Sequence, residues 1–306
     1  MAPTIKNKTI PIQPVFDHSA LPNVSRMPDW IRQSLAQDDY AATAGHVHNN
    51  RLNTVCESAQ CPNRGECWSS GTATFMLLGD ICTRACGFCA VTTGRPLPVD
   101  LDEPRRIAKA AEQMGVKYLV LTSVNRDELE DGGAAIFAET LKQLYQMDAE
   151  LGLELLTPDF RGCQEGAVEQ LAQALPESKR WVWGHNVETV PSLYQQVRKG
   201  SRYQRSLELL EQASRLSNVE TKSSLMLGLG ESTDEVLEVL SDLRNMGVTR
   251  LALGQYLRPS RHHLPVREYL TPEQFEQYAV DAKAMGFTWV KSGAMVRSSY
   301  HAEELL

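Results

Sequence analysis

Residues 72–89 read T-A-T-F-M-L-L-G-D-I-C-T-R-A-C-G-F-C, an apolar run that passes directly into Cys82, Cys86 and Cys89, spaced C-x3-C-x2-C. The run Thr72–Leu78 has the length and composition of a buried strand. The cysteines therefore stand just past a strand's C-terminal end. Upstream lies a second triplet, C-E-S-A-Q-C-P-N-R-G-E-C, holding Cys56, Cys61 and Cys67. Six of the seven cysteines belong to these two groups. Three closely spaced thiolates can hold three corners of a four-iron cluster and leave the fourth iron open. Two such triplets point to two [4Fe-4S] clusters, each with one unusual corner, and so to redox or radical chemistry. A structural zinc site normally takes four protein ligands. Neither triplet has a fourth Cys or a nearby His, although six cysteines could share metals. Disulfide frameworks belong to small, cysteine-dense secreted chains, whereas this one has 306 residues. Simple electron-transfer clusters show four-cysteine runs.

Downstream, strand and helix signals alternate. Strands are predicted at Lys117–Thr122, Leu151–Leu156, Arg180–Gly184, Ser223–Leu229 and Thr249–Leu253. One helix opens at Asp102 with Pro104 in its first turn, buries Ile107, Ala111 and Met114, and stops at Gly115. Another opens with a capping box, Ser232–Glu235, and repeats Val236, Val239, Leu240 and Leu243 before Gly247. A third has Thr271 as cap, Pro272 at its first position and Gln274 completing the box, with Phe275, Tyr278, Ala279 and Ala282 on one face and Gly286 at its end. Six β/α units in a row mean a parallel sheet with helices outside. Right-handed crossovers leave an open doubly wound sheet or a curved, barrel-like one. Either way the active site belongs at the C-terminal ends of the strands, where the second triplet stands.

Composition narrows the setting. Apolar residues, at 42%, suffice for a substantial core, and 31 basic against 38 acidic residues leave a formal charge of −7. That balance argues against nonspecific nucleic-acid binding. No apolar stretch approaches the ~20 residues of a membrane span. The N-terminus lacks a signal-peptide core and is not Arg-rich, and exposed thiols need a reducing interior, so a cytoplasmic location is expected. Residues 1–28, with Pro3, Pro11, Pro14, Pro22 and Pro28, read as an extended arm. Trp30, Ile31 and Leu35 could anchor a short helix after it.

The second triplet resembles the cluster loop of the radical S-adenosylmethionine enzymes, in which Phe88 fits the aromatic before the third cysteine. Both triplets together with R-S-S-Y at Arg297–Tyr300 resemble the lipoyl synthase family. T-S-V-N-R-D-E-L-E-D-G-G at 122–133, T-P-D-F at 157–160, H-N-V-E-T at 185–189 and G-L-G-E at 228–231 agree, so the likeness runs from about Arg51 to His301. A biotin-synthase-like enzyme would lack the N-terminal triplet, and a non-enzymatic metal or electron-transfer protein would need no strand-end motifs.

The resemblance implies a sulfurtransferase that inserts two sulfur atoms at C6 and C8 of an octanoyl-lysine on a carrier protein. Its cofactors would be two [4Fe-4S] clusters and S-adenosyl-L-methionine. One cluster would sit on Cys82, Cys86 and Cys89. The other, the sulfur donor, would sit on Cys56, Cys61 and Cys67 with Ser299 as fourth ligand. Serine oxygen is a poorer partner than thiolate for a soft iron, which suits a corner lost in turnover. The implied partners are an octanoylated lipoyl carrier domain (a 2-oxoacid dehydrogenase E2 subunit or glycine cleavage H protein) and an electron donor such as ferredoxin or flavodoxin. No nucleic acid and no membrane are expected.

The cofactor contacts expected at the strand ends are Phe88, Thr122, Ser123, Asn125, Asn186, Glu188, Arg198 and Gly228, with Gly132-Gly133 offering backbone acceptors. Arg198 and Lys222 would meet carboxylates or, as is commoner, solvent. Cys163, Met76, Met226 and Met295 read as packing, and Trp181 and Trp183 as one buried face. Arg258, Arg261 and Arg267 with His262 and His263 form an acid-free run that could steer an acidic carrier domain. The fold expected is a partial (β/α)6 TIM-type barrel whose N- and C-terminal extensions cover the mouth. Residues 1–50 would be an arm and 51–306 one catalytic domain, including segments 51–70 and 297–300.

Overall fold

Thr74–Leu77 is a strand buried along its whole length in the computed structural model of the chain, which describes residues 27–31, 40–69, 74–300 and 302. In chain order the strands are β1 (Asn53–Thr54), β2 (Thr74–Leu77), β3 (Ile81–Cys82), β4 (Thr92–Thr93), β5 (Tyr118–Ser123), β6 (Gly152–Leu156), β7 (Trp181–Gly184), β8 (Val219–Leu227), β9 (Arg250–Gln255) and β10 (Trp289–Gly293). The α-helices are α1 (Tyr40–Asn49), α2 (Val55–Ser58), α3 (Arg64–Ser69), α4 (Glu103–Met114), α5 (Ala134–Met147), α6 (Gln164–Ala172), α7 (Tyr194–Val197), α8 (Tyr203–Ser214), α9 (Thr233–Asn245) and α10 (Pro272–Ala284).

Eight strands form one sheet in the order β1-β2-β5-β6-β7-β8-β9-β10. Every pair from β2 to β10 is parallel, and β1 joins β2 antiparallel. The edges β1 and β10 do not meet, so the α/β sheet is an open, partial TIM-type barrel. β3 and β4 make a separate two-stranded ribbon at the mouth.

The helix signals hold, with α9 and α10 capped at Met246 and Met285, one residue before Gly247 and Gly286. Gly115 caps α4 in the left-handed region at φ +60°, and both capping boxes, Ser232–Glu235 and Thr271–Gln274, are formed. Val236, Val239, Leu240 and Leu243 are fully buried, whereas Met114 is only half-buried. Two strand readings need correction. A seventh parallel strand, β10, joins the six expected: only Trp289 and Val290 begin it as an apolar run, and its burial is partial throughout. β8 runs Val219–Leu227 rather than Ser223–Leu229, because Lys222 is inside the barrel and not at its surface. Its Nζ lies 2.9 Å from both Glu154 carboxylate oxygens and over the Trp289 ring. A buried charge is tolerated when so paired. Trp181 and Trp183 are buried and stacked, their centroids 5.4 Å apart.

Most of the arm expected over residues 1–28, the start of the strand expected at Thr72, and Leu35 lie outside the described residues. Asp29–Ile31 is a single 3-10 turn whose Trp30 Nε1 donates to the Leu270 carbonyl at 3.3 Å. Among the described residues no helix is long and apolar enough to cross a membrane.

Candidate active site

The C-x3-C-x2-C loop leaves the mouth through β3 and is held from three sides. Gly94 N–H donates to the Cys82 carbonyl, Gly87 N–H to that of Val197, and Leu264 N–H to that of Gly87. His263 Nε2 lies 3.1 Å from the Cys89 carbonyl. A Cβ at Gly87 would stand 2.9 Å from the Leu264 side chain and 3.0 Å from the Gln196 carbonyl, so any larger residue there must push the loop or Leu264 aside.

Cys82, Cys86 and Cys89 face a cavity of about 200 Å³ at the strand ends. Its walls include Met76, Phe88, Thr122, Ser123, Asn125, Asn186, Glu188 and Arg198. Seven of the eight expected cofactor contacts are thus brought together. Gly228 stands apart: its φ is +95°, and a Cβ would collide with the Gln255 side chain and the Glu268 carbonyl. Gly132 and Gly133 also lie outside the walls, at φ +60° and +92°, with Gly133 capping α5 against Leu78. Cys163 is half-buried at the N-cap of α6, its thiol directed at the Phe160 carbonyl.

Polar groups in the cavity are only partly satisfied by the protein. Thr122 Oγ1 donates to the Leu156 carbonyl at 2.9 Å. Arg198 Nη1 donates to the Asn186 carbonyl at 2.7 Å and to Tyr194 Oη at 2.8 Å. Asn186 Nδ2 donates to Glu188 Oε1 at 3.1 Å. Ser123 Oγ, Asn186 Oδ1 and Arg198 Nε are buried without a protein partner, and such groups are rare unless something else satisfies them. Desolvation raises the Glu188 carboxyl, and the Arg198 charge only partly offsets it.

A charged network missing from the sequence reading lies behind the loop. Arg84 sits inside C-T-R-A-C, yet its side chain is only 3% exposed. It grips Asp127 through Nε at 2.8 Å and Nη2 at 2.6 Å, and Asp159 at 2.6 Å; Arg205 Nε holds the other Asp159 oxygen at 2.8 Å. Burial alone would raise the Asp159 carboxyl, but the Arg84 bonds and charge hold it well below the usual carboxylate range. The signal available in sequence is an arginine between Cys82 and Cys86, with the aspartates of N-R-D and T-P-D-F.

The first triplet closes over the same mouth. α2, capped by Thr54, carries Cys56, and Val55 and Ala59 line the cavity beside Cys82, Cys86 and Cys89. Asn63 Nδ2 donates to the Met295 carbonyl at 2.8 Å, and Tyr300 Oη to Glu66 Oε1 at 3.0 Å. The tail carrying Arg297 and Ser299 therefore lies against the segment that carries Cys61 and Cys67. Arg297 feels the Cys61 and Glu188 charges, which oppose the lowering of its pKa by desolvation.

These residues fit the groups that the resemblance implies. Desolvation pushes the Cys86 thiol up to about 11 against the pull of Arg198, with repulsion from Cys82 added. Cys89 is raised further by desolvation and by Cys86. Three thiols on one wall, two of them raised by burial, suit a metal that replaces their protons, and the unpartnered Ser123, Asn186 and Arg198 atoms suit a polar ligand beside it. Among the described residues no three Cys, His, Asp or Glu side chains gather round one ion-sized point. A four-iron cluster takes its thiolates on separate irons.

The sequence matches the Radical SAM superfamily over residues 76–243. The lipoyl synthase of Alcanivorax borkumensis is 49% identical over 280 residues, 91% of this chain and 85% of that one. That of Syntrophotalea carbinolica is 50% identical over 278 residues, covering 90% and 89%, and that of Flavobacterium psychrophilum 47% over 294, covering 96% and 99%. Among solved structures, Streptococcus suis SuiB bound to S-adenosylmethionine superimposes with a TM-score of 0.56 at 14% identity, over 76% of this chain and 55% of that one. Methylornithine synthase (PylB) gives 0.52 at 12% identity, over 69% and 61%. At such identities these two speak to the fold alone. With half its residues shared with lipoyl synthases from end to end of the barrel, the chain belongs to the lipoyl synthase family of the radical SAM superfamily.

Proposed function

We propose that this enzyme inserts two sulfur atoms at C6 and C8 of an octanoyl chain amide-linked to a carrier lysine. The observation that carries the reading is that the segments bearing both triplets line one cavity. That arrangement supports a sulfur source on the first triplet beside the place where a substrate carbon is activated. When bound, S-adenosylmethionine and its cluster supply a carbon-centred radical able to take hydrogen from an unactivated C–H bond, chemistry beyond side chains. Cys82, Cys86 and Cys89 hold that cluster. Arg198, Asn186, Ser123 and Glu188 hold the charged methionine end and the sugar, with Phe88, Thr122 and Asn125 completing the walls. Cys56, Cys61, Cys67 and Ser299 hold the sulfur-donating cluster.

The natural substrate is the octanoylated lipoyl domain of a 2-oxoacid dehydrogenase or the glycine cleavage H protein. A ferredoxin or flavodoxin supplies electrons, and the reducing cytoplasm is the compartment. The test is anaerobic turnover of an octanoyl-lysyl peptide, following 5′-deoxyadenosine and mono- and di-thiolated peptide. Replacing Cys82, Cys86 or Cys89 by Ala is expected to abolish deoxyadenosine formation. Replacing Cys56, Cys61 or Cys67 is expected to leave some cleavage and stop thiolation. Thiolated peptide from the latter variants would refute the sulfur-donor assignment.

A further inference from the structure

The Cys82 sulfur is the meeting point of two stretches of chain far apart in sequence. It accepts the Arg84 N–H at 3.4 Å, the Asn125 N–H at 3.4 Å and the Asn125 side-chain amide at 3.8 Å. The contact is reciprocal. Thr83 N–H and Thr83 Oγ1 both donate to the Asn125 carbonyl at 3.1 Å, and Thr83 Oγ1 accepts the Asp127 N–H at 3.2 Å. Arg84 then locks the arrangement from behind through its two bonds to Asp127. Two arginines, Arg84 and Arg205, face two aspartates, Asp127 and Asp159, so their charges largely cancel at a distance. This network acts by fixing geometry rather than by adding a net charge.

Hydrogen bonds to ligand sulfurs are among the factors that set an iron–sulfur cluster's reduction potential. Accepting an electron makes the cluster more negative. N–H dipoles aimed at a ligand thiolate stabilise that reduced state and so raise the potential. We propose that the turn 124–127 is a clasp that sets the reduction potential of the cluster on Cys82, with Thr83 and Asn125 as its positioning residues. The proposal rests on Cys82 being a ligand of the cluster that binds S-adenosylmethionine. It gives Asn125 a task in accepting the electron from an external one-electron carrier, beyond lining the cavity.

The experiment is an electron paramagnetic resonance redox titration of the reconstituted holoenzyme without S-adenosylmethionine. The relevant cluster is identified in a parallel sample as the one whose signal changes when S-adenosylmethionine is added. Thr83→Val keeps the shape of the side chain but removes the hydroxyl that ties the turn, and Asn125→Ala removes the amide. At a fixed ambient potential near the wild-type midpoint, each variant is expected to show a reduced-to-oxidised ratio lower by about three- to tenfold, the range of one modest hydrogen bond. Thr83→Ser, which retains the oxygen, is expected to restore the ratio. Wild-type ratios in Thr83→Val and Asn125→Ala with iron retained would overturn the proposal. Loss of iron from both would overturn it too, because the clasp would then hold the cluster rather than tune it. Cys82→Ala separates the two levels of the argument. Persistence of the responsive signal in that variant would refute the ligand assignment itself. Its disappearance, with Thr83→Val and Asn125→Ala titrating like wild type, would refute only the clasp.

Discussion

His185 shows how one buried side chain ties the site to pH. It is 1% exposed; its Nδ1 donates to the Thr157 carbonyl at 2.8 Å and its Nε2 faces Ser206 Oγ at 3.0 Å. Desolvation, with the Arg198 charge added, lowers its pKa to about 4 from an ordinary 6.5. The folded pKa is depressed, so between those values the unfolded chain binds the extra proton. The stability contributed by neutral His185 is therefore full above the ordinary value and is lost on acidification toward about 4. About 2 kcal/mol of it disappears between pH 7 and pH 5. Thermal unfolding under anaerobic conditions is expected to show a larger drop over that interval for wild type than for His185→Gln. Equal drops would remove His185 as the cause.

Among the elements, β9 has a duty that its burial pattern hides. Gly254 lies near its end, where a Cβ would collide with the Val296 carbonyl and crowd Arg297. The tail crosses the barrel at that spot on its way to Ser299. Gly254→Ala is expected to displace the tail, lowering sulfur insertion on the order of 10²-fold, as ångström misplacements do, while deoxyadenosine formation stays close to wild type. Equal losses in both assays would show damage to the whole barrel instead. This also marks where the sequence stopped being legible. The strands Tyr118–Ser123, Gly152–Leu156, Trp181–Gly184 and Arg250–Gln255 fall within two residues of their expected bounds because their apolar runs are broken only by Glu154 in β6. β10 begins with two apolar residues and continues Lys-Ser-Gly, so it carried no such pattern. Lys222 and Glu154 neutralise each other inside the barrel, and pairing across 68 positions is invisible to a local pattern. The same holds for the site: the triplets announce themselves by spacing, but Arg84, Asp127, Asp159 and Arg205 become a unit only once three loops and α8 meet.

At the scale of the molecule, the loop after β9 joins the surface to the chemistry. Arg261 and His262 are exposed, while their neighbours turn inward: Arg258 Nε donates to the His263 carbonyl at 3.0 Å, and Leu264 is buried against the cluster loop. An acidic carrier domain steered onto Arg261 would arrive beside the mouth despite the net charge of −7. Arg261→Glu is expected to lower kcat/KM about tenfold on the intact octanoyl domain at low salt. The effect should fade near 1 M salt, where screening reaches ~3 Å, and an octanoyl-lysyl peptide should be little affected. An equal loss on both substrates would place Arg261 in the active site, and no loss on either would leave the loop merely solvated. The contact between Asn63 and Met295 spans 232 positions, and it has a consequence for biosynthesis. During translation the thiols of Cys56, Cys61 and Cys67 leave the ribosome long before residues 295–300 exist. At about 5–20 residues per second the wait is roughly 10–50 s. Through that interval the first triplet is a set of nascent-chain thiols without the tail that later packs against it, so the Asn63–Met295 contact closes this half of the mouth only as synthesis ends.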